Sequence, residues 1–352
     1  MPRSPRPPRP AHSRRTEAGP SAPAPGTTSP DSRDDVIVAQ VERQLRRVLL
    51  QPVSPGLALV ATPIGNLSDI TLRAIAVLAR ADVVYAEDTR HSAILLAHFG
   101  LHTKLAPYHE HNAARERPRI LAALADGRSV ALVSDAGMPL VSDPGYKLVR
   151  DCLEAGHRVT CIPGASASLA ALVSSGLPTD TFLFAGFLPS RGKARAEVID
   201  ELAAIPATLV LFEAANRLAE TLADLAAGLG PRQAAIAREL TKLNEEVVCG
   251  TLDELSLVIA GRAEIRGEIA IVVGPPAARE VDDAAILAAL DAVASDRSRR
   301  DAAREVAARL GVGKSRVYAL ALARERNGGG AGDGGEEDAD DGSRGTDEPA
   351  PK

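Results

Sequence analysis

Two aspartates, Asp135 and Asp143, stand in a loop of turn-forming residues, and their carboxylates could bind a ligand. The loop begins at Ser134–Pro139, directly after Val130–Val133, an apolar and β-branched run that predicts a buried parallel strand. A glycine-bearing loop after such a strand lies at the carboxyl end of a sheet, where open α/β folds bind ligands. Two carboxylates repel phosphate and favour a ligand with positive charge or hydroxyl groups, such as an adenosyl sulfonium compound.

Both aspartates also have a purely structural interpretation. Asp143 precedes Pro144 and Gly145, and an Asp followed by Pro is typical of a helix start. A helix is therefore expected from Asp143 to about Glu154, and this capping role is favoured for Asp143 over ligand binding. For Asp135, an Asx-turn and a ligand contact explain the sequence equally well.

Strands and helices alternate on both sides of this loop. Between residues 55 and 167, four strands are predicted, at Leu57–Ala61, Asp82–Ala86, Val130–Val133 and Arg158–Ile162. Because each strand is followed by a helix over a short connection, this order predicts an N-terminal α/β domain. Its sheet should be mostly parallel, with helices on both faces.

The strands come closer together between residues 168 and 276. This spacing predicts a second, C-terminal α/β domain that contains some antiparallel hairpins. The predicted strands are Phe182–Phe187, Thr208–Phe212, Gln233–Leu240, Val247–Gly250 and Glu268–Val273. The fold class predicted for the whole chain is therefore α/β, with two domains.

Charge is unevenly distributed, although a net charge of −5 and an apolar content of 45% are ordinary for a globular protein. Residues 1–33 are rich in Pro and Arg, and residues 328–352 are rich in Gly, Asp and Glu, so we expect both ends to be disordered. Residues 34–52 have helical spacing. Residues 280–327 are predicted to be helical, and within them 301–326 has a helix-turn-helix pattern with an excess of basic residues.

The three cysteines, Cys152, Cys161 and Cys249, stand in apolar stretches without paired spacing. This usage is typical of small core residues in a reducing compartment, so we expect a cytoplasmic protein without disulfides or a metal site. No apolar run approaches the roughly 18 residues that a membrane-spanning helix needs. The Arg- and Pro-rich start also lacks the apolar segment of a secretory signal.

Several motifs, read in order, resemble one known family. They are TPIGNLSDIT (62–71), AEDTRHS (86–92), SDAGMPLVSDPG (134–145), GFLPSRGK (186–193), ARELTKLNEE (237–246) and GEIAIVVG (267–274). The chain is similar to bacterial 16S ribosomal RNA cytidine 2′-O-methyltransferases, which have the tetrapyrrole-methylase fold and use S-adenosylmethionine. The resemblance covers about Leu57 to Arg326, and the ordered series is far more specific than any single motif.

This resemblance implies a two-domain fold with the cofactor in the cleft between the domains, usually in a homodimer. It implies that the substrate is a decoding-centre cytidine of 16S ribosomal RNA in an assembled small subunit. It also implies cofactor-binding positions on loops of both domains. These positions are Pro63, Asp135, Ala136, Met138, Ala165, Ser166, Leu240 and Ala270.

Methyl transfer from a sulfonium is an in-line displacement with a neutral leaving group, so it requires neither a metal nor a phosphate site. A ribose 2′-hydroxyl is a weak nucleophile, however, and a base or a nearby cation should assist it. Glu87, Asp88 and Lys242 are the candidates, because each lies at a predicted strand end that faces the expected cleft. Each of them could instead form a salt bridge or a helix cap.

Six basic residues are candidates for contacts with RNA. Arg90 and Arg217 could bind phosphate, since arginine makes bidentate phosphate contacts. The basic helical end could add non-specific affinity for the RNA backbone, or it could be a solvated helical face. Its candidate residues are Arg299, Arg300, Lys314 and Arg316.

Two other functions compete with RNA methylation. The fold class alone is compatible with a methyltransferase of a tetrapyrrole or corrinoid precursor. The helix-turn-helix pattern alone is compatible with a DNA-binding regulator. A basic helical appendage favours the RNA enzyme over the small-molecule enzyme, and a large two-domain ligand module would be unexplained in a regulator.

Overall fold

The computed structural model describes residues 33–277, 281–293 and 298–328. Its contacts divide the chain into two compact units, of which the first ends at Pro276 and the second begins at Ala277. The ends for which disorder is expected, residues 1–33 and 328–352, lie outside the described residues except for Arg33 and Gly328. In the part of the chain that is described, no helix combines the length and the apolar character needed to cross a bilayer.

The first unit begins with helix α1 (Arg33–Leu50) and continues into a parallel sheet with strand order β3-β2-β4-β1-β5. The central strand β4 is buried along its whole length, and its side chains alternate between an apolar core on each face of the sheet. The strands are β1 (Gly56–Val60), β2 (Val83–Ala86), β3 (Leu105–Pro107), β4 (Ser129–Val133) and β5 (Val159–Ile162). The covering helices are α2 (Leu72–Arg80), α3 (Thr89–His98), α4 (Ala113–Ala125) and α5 (Tyr146–Glu154).

A second, mixed sheet follows, with strand order β6-β7-β10-β8-β9. Strands β6 and β7 are parallel, and the other pairs are antiparallel. Helix α6 packs on one face, while α7, α8 and α9 bury the other. The strands are β6 (Phe182–Phe187), β7 (Thr208–Ala214), β8 (Gln233–Arg238), β9 (Glu246–Thr251) and β10 (Glu268–Val273). The helices are α6 (Ala167–Ser174), α7 (Gly192–Ala203), α8 (Leu218–Leu229) and α9 (Leu252–Ala260). The α/β fold class is therefore confirmed.

The second unit contains three described helices, α10 (Asp283–Asp291), α11 (Arg299–Leu310) and α12 (Lys314–Gly328). They enclose a small apolar core around Ile286, Val306 and Val317. Helix α11 ends at Leu310, and the next residue, Gly311, has a φ of 65°, the left-handed conformation that commonly follows a helix. The predicted helical segment and its short inter-helix turn are present.

Helix α5 begins later than predicted. It starts at Tyr146 rather than at Asp143, and its N-terminal cap is Gly145, with a φ of 142°. A residue in this conformation cannot lie within a helix, so Asp143 and Pro144 belong to the preceding loop. A Cβ on Gly145 would come within 3.0 Å of Leu140, which explains why glycine occupies this position. The capping role that the sequence favours for Asp143 is therefore wrong.

The structure differs from the sequence prediction in three further features, which are one strand, one helix and the exposure of two cysteines. Strand β3 and helix α9 are absent from that prediction, although Thr251 and Glu254 form a complete capping box at the start of α9. Cys152 is buried as expected, whereas Cys161 and Cys249 are exposed. Both exposed thiols lie on edge strands of the two described sheets, β5 and β9.

Backbone contacts join the loops at the carboxyl end of the first sheet. Thr62, after β1, and Gly137, after β4, exchange two backbone hydrogen bonds of 2.9 and 3.0 Å. The loop after β1 also reaches the second sheet, because the N–H of Asn66 donates to Oγ1 of Thr241 at 3.1 Å. These contacts fix three loops relative to one another.

Gly65 is a point of close approach between the loop after β1 and the loop after β8. A Cβ at this position would overlap Cγ of Lys242 and would lie 3.1 Å from the carbonyl oxygen of Leu240. We predict that Gly65→Ala lowers the free energy of unfolding by about 1–3 kcal/mol, because the added methyl group overpacks this contact. Urea unfolding of the full chain measures the change.

Gly192→Ala is the matched control. Gly192 is the first residue of α7, and no atom lies within 4 Å of a Cβ added there. Because alanine favours a helix over glycine, this control should be neutral or slightly stabilising. Equal stability of the two variants would show that the approach at Gly65 is not tightly packed.

Candidate active site

A cavity of about 510 Å³ opens between the two sheets of the first unit. One wall consists of the loops that follow β1, β4 and β5, and the other consists of the ends of β6, β7 and β8 and the start of β10. Six of the eight positions that the resemblance assigns to the cofactor line it. They are Asp135, Ala136, Met138, Ser166, Leu240 and Ala270.

The other two positions lie close by. Pro63 is buried and lines a second cavity of about 280 Å³, which shares Asp135 and Ala136 with the first. Ala165 does not line the main cavity, but its carbonyl oxygen would be 3.5 Å from a Cβ on Gly137. That Cβ would also lie 3.2 Å from Ile64, and Gly137 has a φ of 78°, so the loop after β4 requires glycine here.

Two loops of the cavity hold non-glycine residues in the left-handed region. Leu140 and Ser142 have φ values of 73° and 66° in the loop after β4, and Glu239 and Thr241 have values of 51° and 64° in the loop after β8. For leucine and threonine this conformation is strained, and such strain concentrates at functional sites. Both loops line the cavity, one through Ser142 and the other through Leu240.

Three carboxylates, Glu87, Asp135 and Asp143, concentrate negative charge at the first wall. Burial, together with the charge of Glu87 and then of Asp135, raises the pKa of Asp143 to about 6, while a hydrogen bond with Ser134 opposes this shift. Burial and the charge of Asp135 likewise raise the pKa of Glu87. Asp143 lines the cavity. A carboxylate with such a pKa is well suited to accept a proton near neutral pH.

Asp88, a predicted catalytic residue, caps helix α3. Its carboxylate accepts from the backbone N–H of Arg90 at 2.8 Å and pairs with the Arg90 guanidinium at 2.6 Å. The hydrogen bond with Arg90 lowers the pKa of Asp88, which therefore makes a poor base. Asp88 still contributes to the site through its own N–H, which donates to Oδ1 of Asp135 at 2.9 Å and orients that carboxylate.

Lys242, another predicted catalytic residue, is held by two carboxylates. Its Nζ lies 2.8 Å from Glu239 and 3.4 Å from Glu268. Burial opposes its charge, but the hydrogen bond with Glu239 and the charge of Glu268 outweigh burial and raise the pKa of Lys242. Lys242 is therefore a cation rather than a base. It lines the smaller cavity beside Asp135.

Arg217, a candidate for phosphate contact, has a structural role in the described contacts. Its guanidinium donates to the carbonyl oxygens of Leu188 and Pro189 at 2.9 and 3.3 Å, and it lies 3.3 Å from the buried carboxylate of Glu213. It thus joins the end of β6 to the end of β7. Arg90 is exposed and paired with Asp88.

The candidate RNA-binding residues of the second unit lie on α11 and α12. Arg316 pairs with Asp283 at 2.6 Å, and Arg299 also has an interaction partner. Arg300 and Lys314 are exposed, and both act on the pKa of Asp301 through their charge. The surface of this unit therefore mixes both signs of charge.

The cavity residues that are absent from the sequence prediction include Phe187, Phe212 and Glu213. Each of these three lies near the end of a predicted strand of the second sheet, where ligand contacts are expected in an α/β fold. Phe187 belongs to the GFLPSRGK motif, so the sequence held a signal for it. The choice among strand-end residues requires knowledge of which face of the strand each side chain occupies.

Comparison with known proteins identifies relatives of this chain. The family described as Tetrapyrrole (Corrin/Porphyrin) Methylases matches residues 56–256. A relative named ribosomal RNA small subunit methyltransferase I, from Mesorhizobium japonicum, is 49% identical over 286 residues, which cover 81% of this chain and 97% of the relative. The protein of the same name from Escherichia coli O157:H7 is 42% identical over 272 residues, covering 76% and 95%.

Two solved structures also superpose on part of the chain. Diphthine synthase superposes with a TM-score of 0.49 and 19% identity over 62% of this chain and 89% of that one. Uroporphyrin-III C-methyltransferase from Thermus thermophilus, complexed with S-adenosylhomocysteine, superposes with a TM-score of 0.43 and 24% identity over 62% and 97%.

The raised pKa of Asp143 predicts a cost to the stability of the fold. A carboxyl group whose pKa is higher in the folded chain stabilises the fold only when protonated, so this contribution is lost as pH rises through about 6. We predict that Asp143→Asn raises the free energy of unfolding at pH 7.5 by roughly 1–3 kcal/mol. The difference from the unsubstituted chain should shrink at pH 5.

Urea unfolding at the two pH values provides the measurement. Asp180→Asn, in the exposed turn before β6, is the control and should change stability by less than about 0.5 kcal/mol. A loss of stability in Asp143→Asn at pH 7.5 would mean that the carboxylate is well solvated or paired, contrary to its surroundings.

Proposed function

The chain belongs to the ribosomal RNA small subunit methyltransferase I family of the tetrapyrrole methylases, and on this premise we propose that it methylates the ribose of a cytidine. The target is the 2′-oxygen of a decoding-centre cytidine in 16S ribosomal RNA, and S-adenosylmethionine is the methyl donor. The observation that carries the proposal is the cavity between the sheets, which collects Asp135 and Met138 from the loop after β4, Leu240 from the loop after β8 and Ala270 from strand β10.

The residues of the cavity fit S-adenosylmethionine. The volume of about 510 Å³ lies within the range of small-molecule sites. Asp135 offers a carboxylate oriented by the N–H of Asp88, which suits a ribose diol or an ammonium group. Met138, Leu240 and Ala270 offer apolar surface to an adenine ring. When bound, the cofactor supplies a methyl group on a cationic sulfur, which leaves as a neutral thioether.

Asp143 is the proposed proton acceptor for the 2′-hydroxyl. Its carboxylate lines the cavity, and at neutral pH most of it is ionised because the pKa is about 6. Taking the hydroxyl proton leaves the oxygen free to form the new bond to the methyl carbon. Glu87 supports this role through its charge, which raises the pKa of Asp143. Lys242, as a cation beside Asp135, offsets part of the negative charge.

The exposed basic residues Arg90, Arg300 and Lys314 are proposed to contact the RNA. A few such cations give an affinity for the RNA backbone that depends on salt and not on sequence. The second unit supplies two of them and has its own core. A homodimer, which the family resemblance implies, is part of the same proposal.

The proposal is tested by mapping ribose methylation on small subunits that lack the methyl group. The purified full chain with S-adenosylmethionine should methylate one cytidine of 16S ribosomal RNA at its 2′-oxygen, as read by mass spectrometry of nuclease fragments. Methylation of another position would contradict the cytidine assignment. Transfer to a tetrapyrrole precursor without transfer to RNA would favour the small-molecule enzyme instead.

The proton-acceptor role has its own test in the same assay. Asp143→Asn should lower the single-turnover rate about 100-fold, because a general base contributes on the order of 10²–10⁴ in rate. The dissociation constant for S-adenosylmethionine should change less than about threefold. In the unsubstituted chain the rate should rise as pH increases through about 6 and then level off. A normal rate for Asp143→Asn would remove this residue from proton transfer.

A further inference from the structure

Strand β6 ends at Phe187, whose side chain lies on the opposite face from the one that a regular strand would give it. Strand β6 pairs in parallel with β7, and the register shifts between Phe184, opposite Val210, and Gly186, opposite Leu211. Gly186 has a φ of 67°, which a glycine adopts without strain. The extra residue is a β-bulge, and bulges beside active sites often redirect a side chain.

The bulge moves the Phe187 ring from the helix-covered core to the cavity. In an unbroken strand, side chains alternate, so residue 187 would share the face of Leu183 and Ala185, which pack against the core under α7 and α8. Instead the Phe187 ring lies on the face of Phe212, with ring centroids 5.7 Å apart and an edge-to-face angle of 61°. Both rings line the cavity.

The ring is held in place but is not covered. Phe187 is 56% exposed, which is a large apolar exposure for a side chain beside a cavity. The residue after it, Leu188, is 3% exposed, and its carbonyl oxygen accepts from the Arg217 guanidinium at 2.9 Å. The backbone below the ring is therefore anchored on both sides, by the pairing with Phe212 and by Arg217.

We propose that Phe187 is the platform on which the base of the target nucleotide stacks while its ribose enters the cavity. This inference rests on the proposed RNA methylation. The strand end below the ring also borders the Asp143 loop, since a Cβ on Gly186 would lie 3.7 Å from Oγ of Ser142. A base on Phe187 thus places its ribose next to the carboxylate proposed to accept the proton.

The chemistry of RNA favours such a platform. An enzyme that acts on one nucleotide of structured RNA takes that nucleotide out of its stack, and an aromatic ring replaces part of the lost stacking. The Phe187 ring is exposed, whereas Met138 and Leu240 are half-buried and Ala270 is buried. This difference in exposure favours the target base over the adenine of the cofactor as the group that stacks on Phe187.

Substitution of Phe187 distinguishes the target base from the adenine of the cofactor as the group that stacks on this ring. Phe187→Ala should lower kcat/KM for unmethylated small subunits roughly 5- to 100-fold, the loss expected for one base–aromatic stack. The dissociation constant for S-adenosylmethionine should stay within twofold. Phe182→Ala is the matched control, because Phe182 lies on the same strand, is 42% exposed and does not line the cavity. It should leave kcat/KM unchanged.

A tryptophan at the same position reports stacking directly. The chain contains no tryptophan, so Phe187→Trp creates a single tryptophan that can be excited apart from the tyrosines, and it should keep kcat/KM within about threefold. Its fluorescence should be quenched by small subunits and not by S-adenosylmethionine alone, while Phe182→Trp should respond to neither. Quenching by the cofactor alone, or weaker cofactor binding in Phe187→Ala, would assign the ring to the cofactor and overturn the proposal.

The outcomes distinguish this inference from the proposed function. If the unsubstituted chain methylates a different nucleotide of the subunit, the cytidine assignment fails, whereas a loss in Phe187→Ala at that nucleotide still supports the platform. If the chain methylates the expected cytidine and Phe187→Ala is as active as the unsubstituted chain, the platform alone fails. If no RNA is methylated, both fail.

Discussion

The pair of backbone hydrogen bonds between Thr62 and Gly137 is the contact on which the site depends. Parallel strands bring their carboxyl ends to one edge of a sheet, but the loops that follow are free to diverge unless something joins them. Here the loops after β1 and β4 are joined directly, and Gly137 permits the approach because any Cβ would press on Ile64. Asp135 and Asp143 take their positions from this joined pair of loops.

Close contacts also join the loop after β1 to the loop after β8 on the other side of the cleft. The N–H of Asn66 donates to Thr241, and Gly65 leaves just enough room for Lys242 and Leu240. The loop after β8 therefore inherits its position from the loop after β1, and it holds Glu239 and Thr241 in left-handed conformations. A cavity with one wall on each sheet then has fixed dimensions before any ligand binds, which reduces the ordering cost of binding.

The negative charges of the site lower the stability of the fold, but they raise the pKa of the proposed proton acceptor toward neutral pH. Burial raises the pKa of Asp143 and of Glu87, and the repulsion among Glu87, Asp135 and Asp143 adds to both shifts. A fold selected for stability alone would place an amide at one of these positions. The cation Lys242 is itself committed to Glu239 and Glu268, so it neutralises the cluster only in part. Such residual cost is typical of active sites, where function and stability compete.

Much of the fold follows from the sequence, because apolar runs alternate with amphipathic segments and the connections are short. The alternation predicted the parallel sheet, and the motifs predicted six of the residues that line the cavity. Local signals were ambiguous at Asp143, since the same residue type caps helices and binds ligands, and only the φ of Gly145 decides between them. The role of Phe187 depends on a register shift between two strands, which the sequence of β6 alone does not contain.

Calorimetric titration of S-adenosylmethionine into the full chain and into Asp135→Ala tests the central claim most directly. The account predicts a single site in the unsubstituted chain and an affinity weaker by about 10- to 100-fold in Asp135→Ala, because a hydrogen bond to a charged group is lost. Equal affinities, or a chain that does not bind this compound at all, would contradict the assignment of the cavity to the methyl donor.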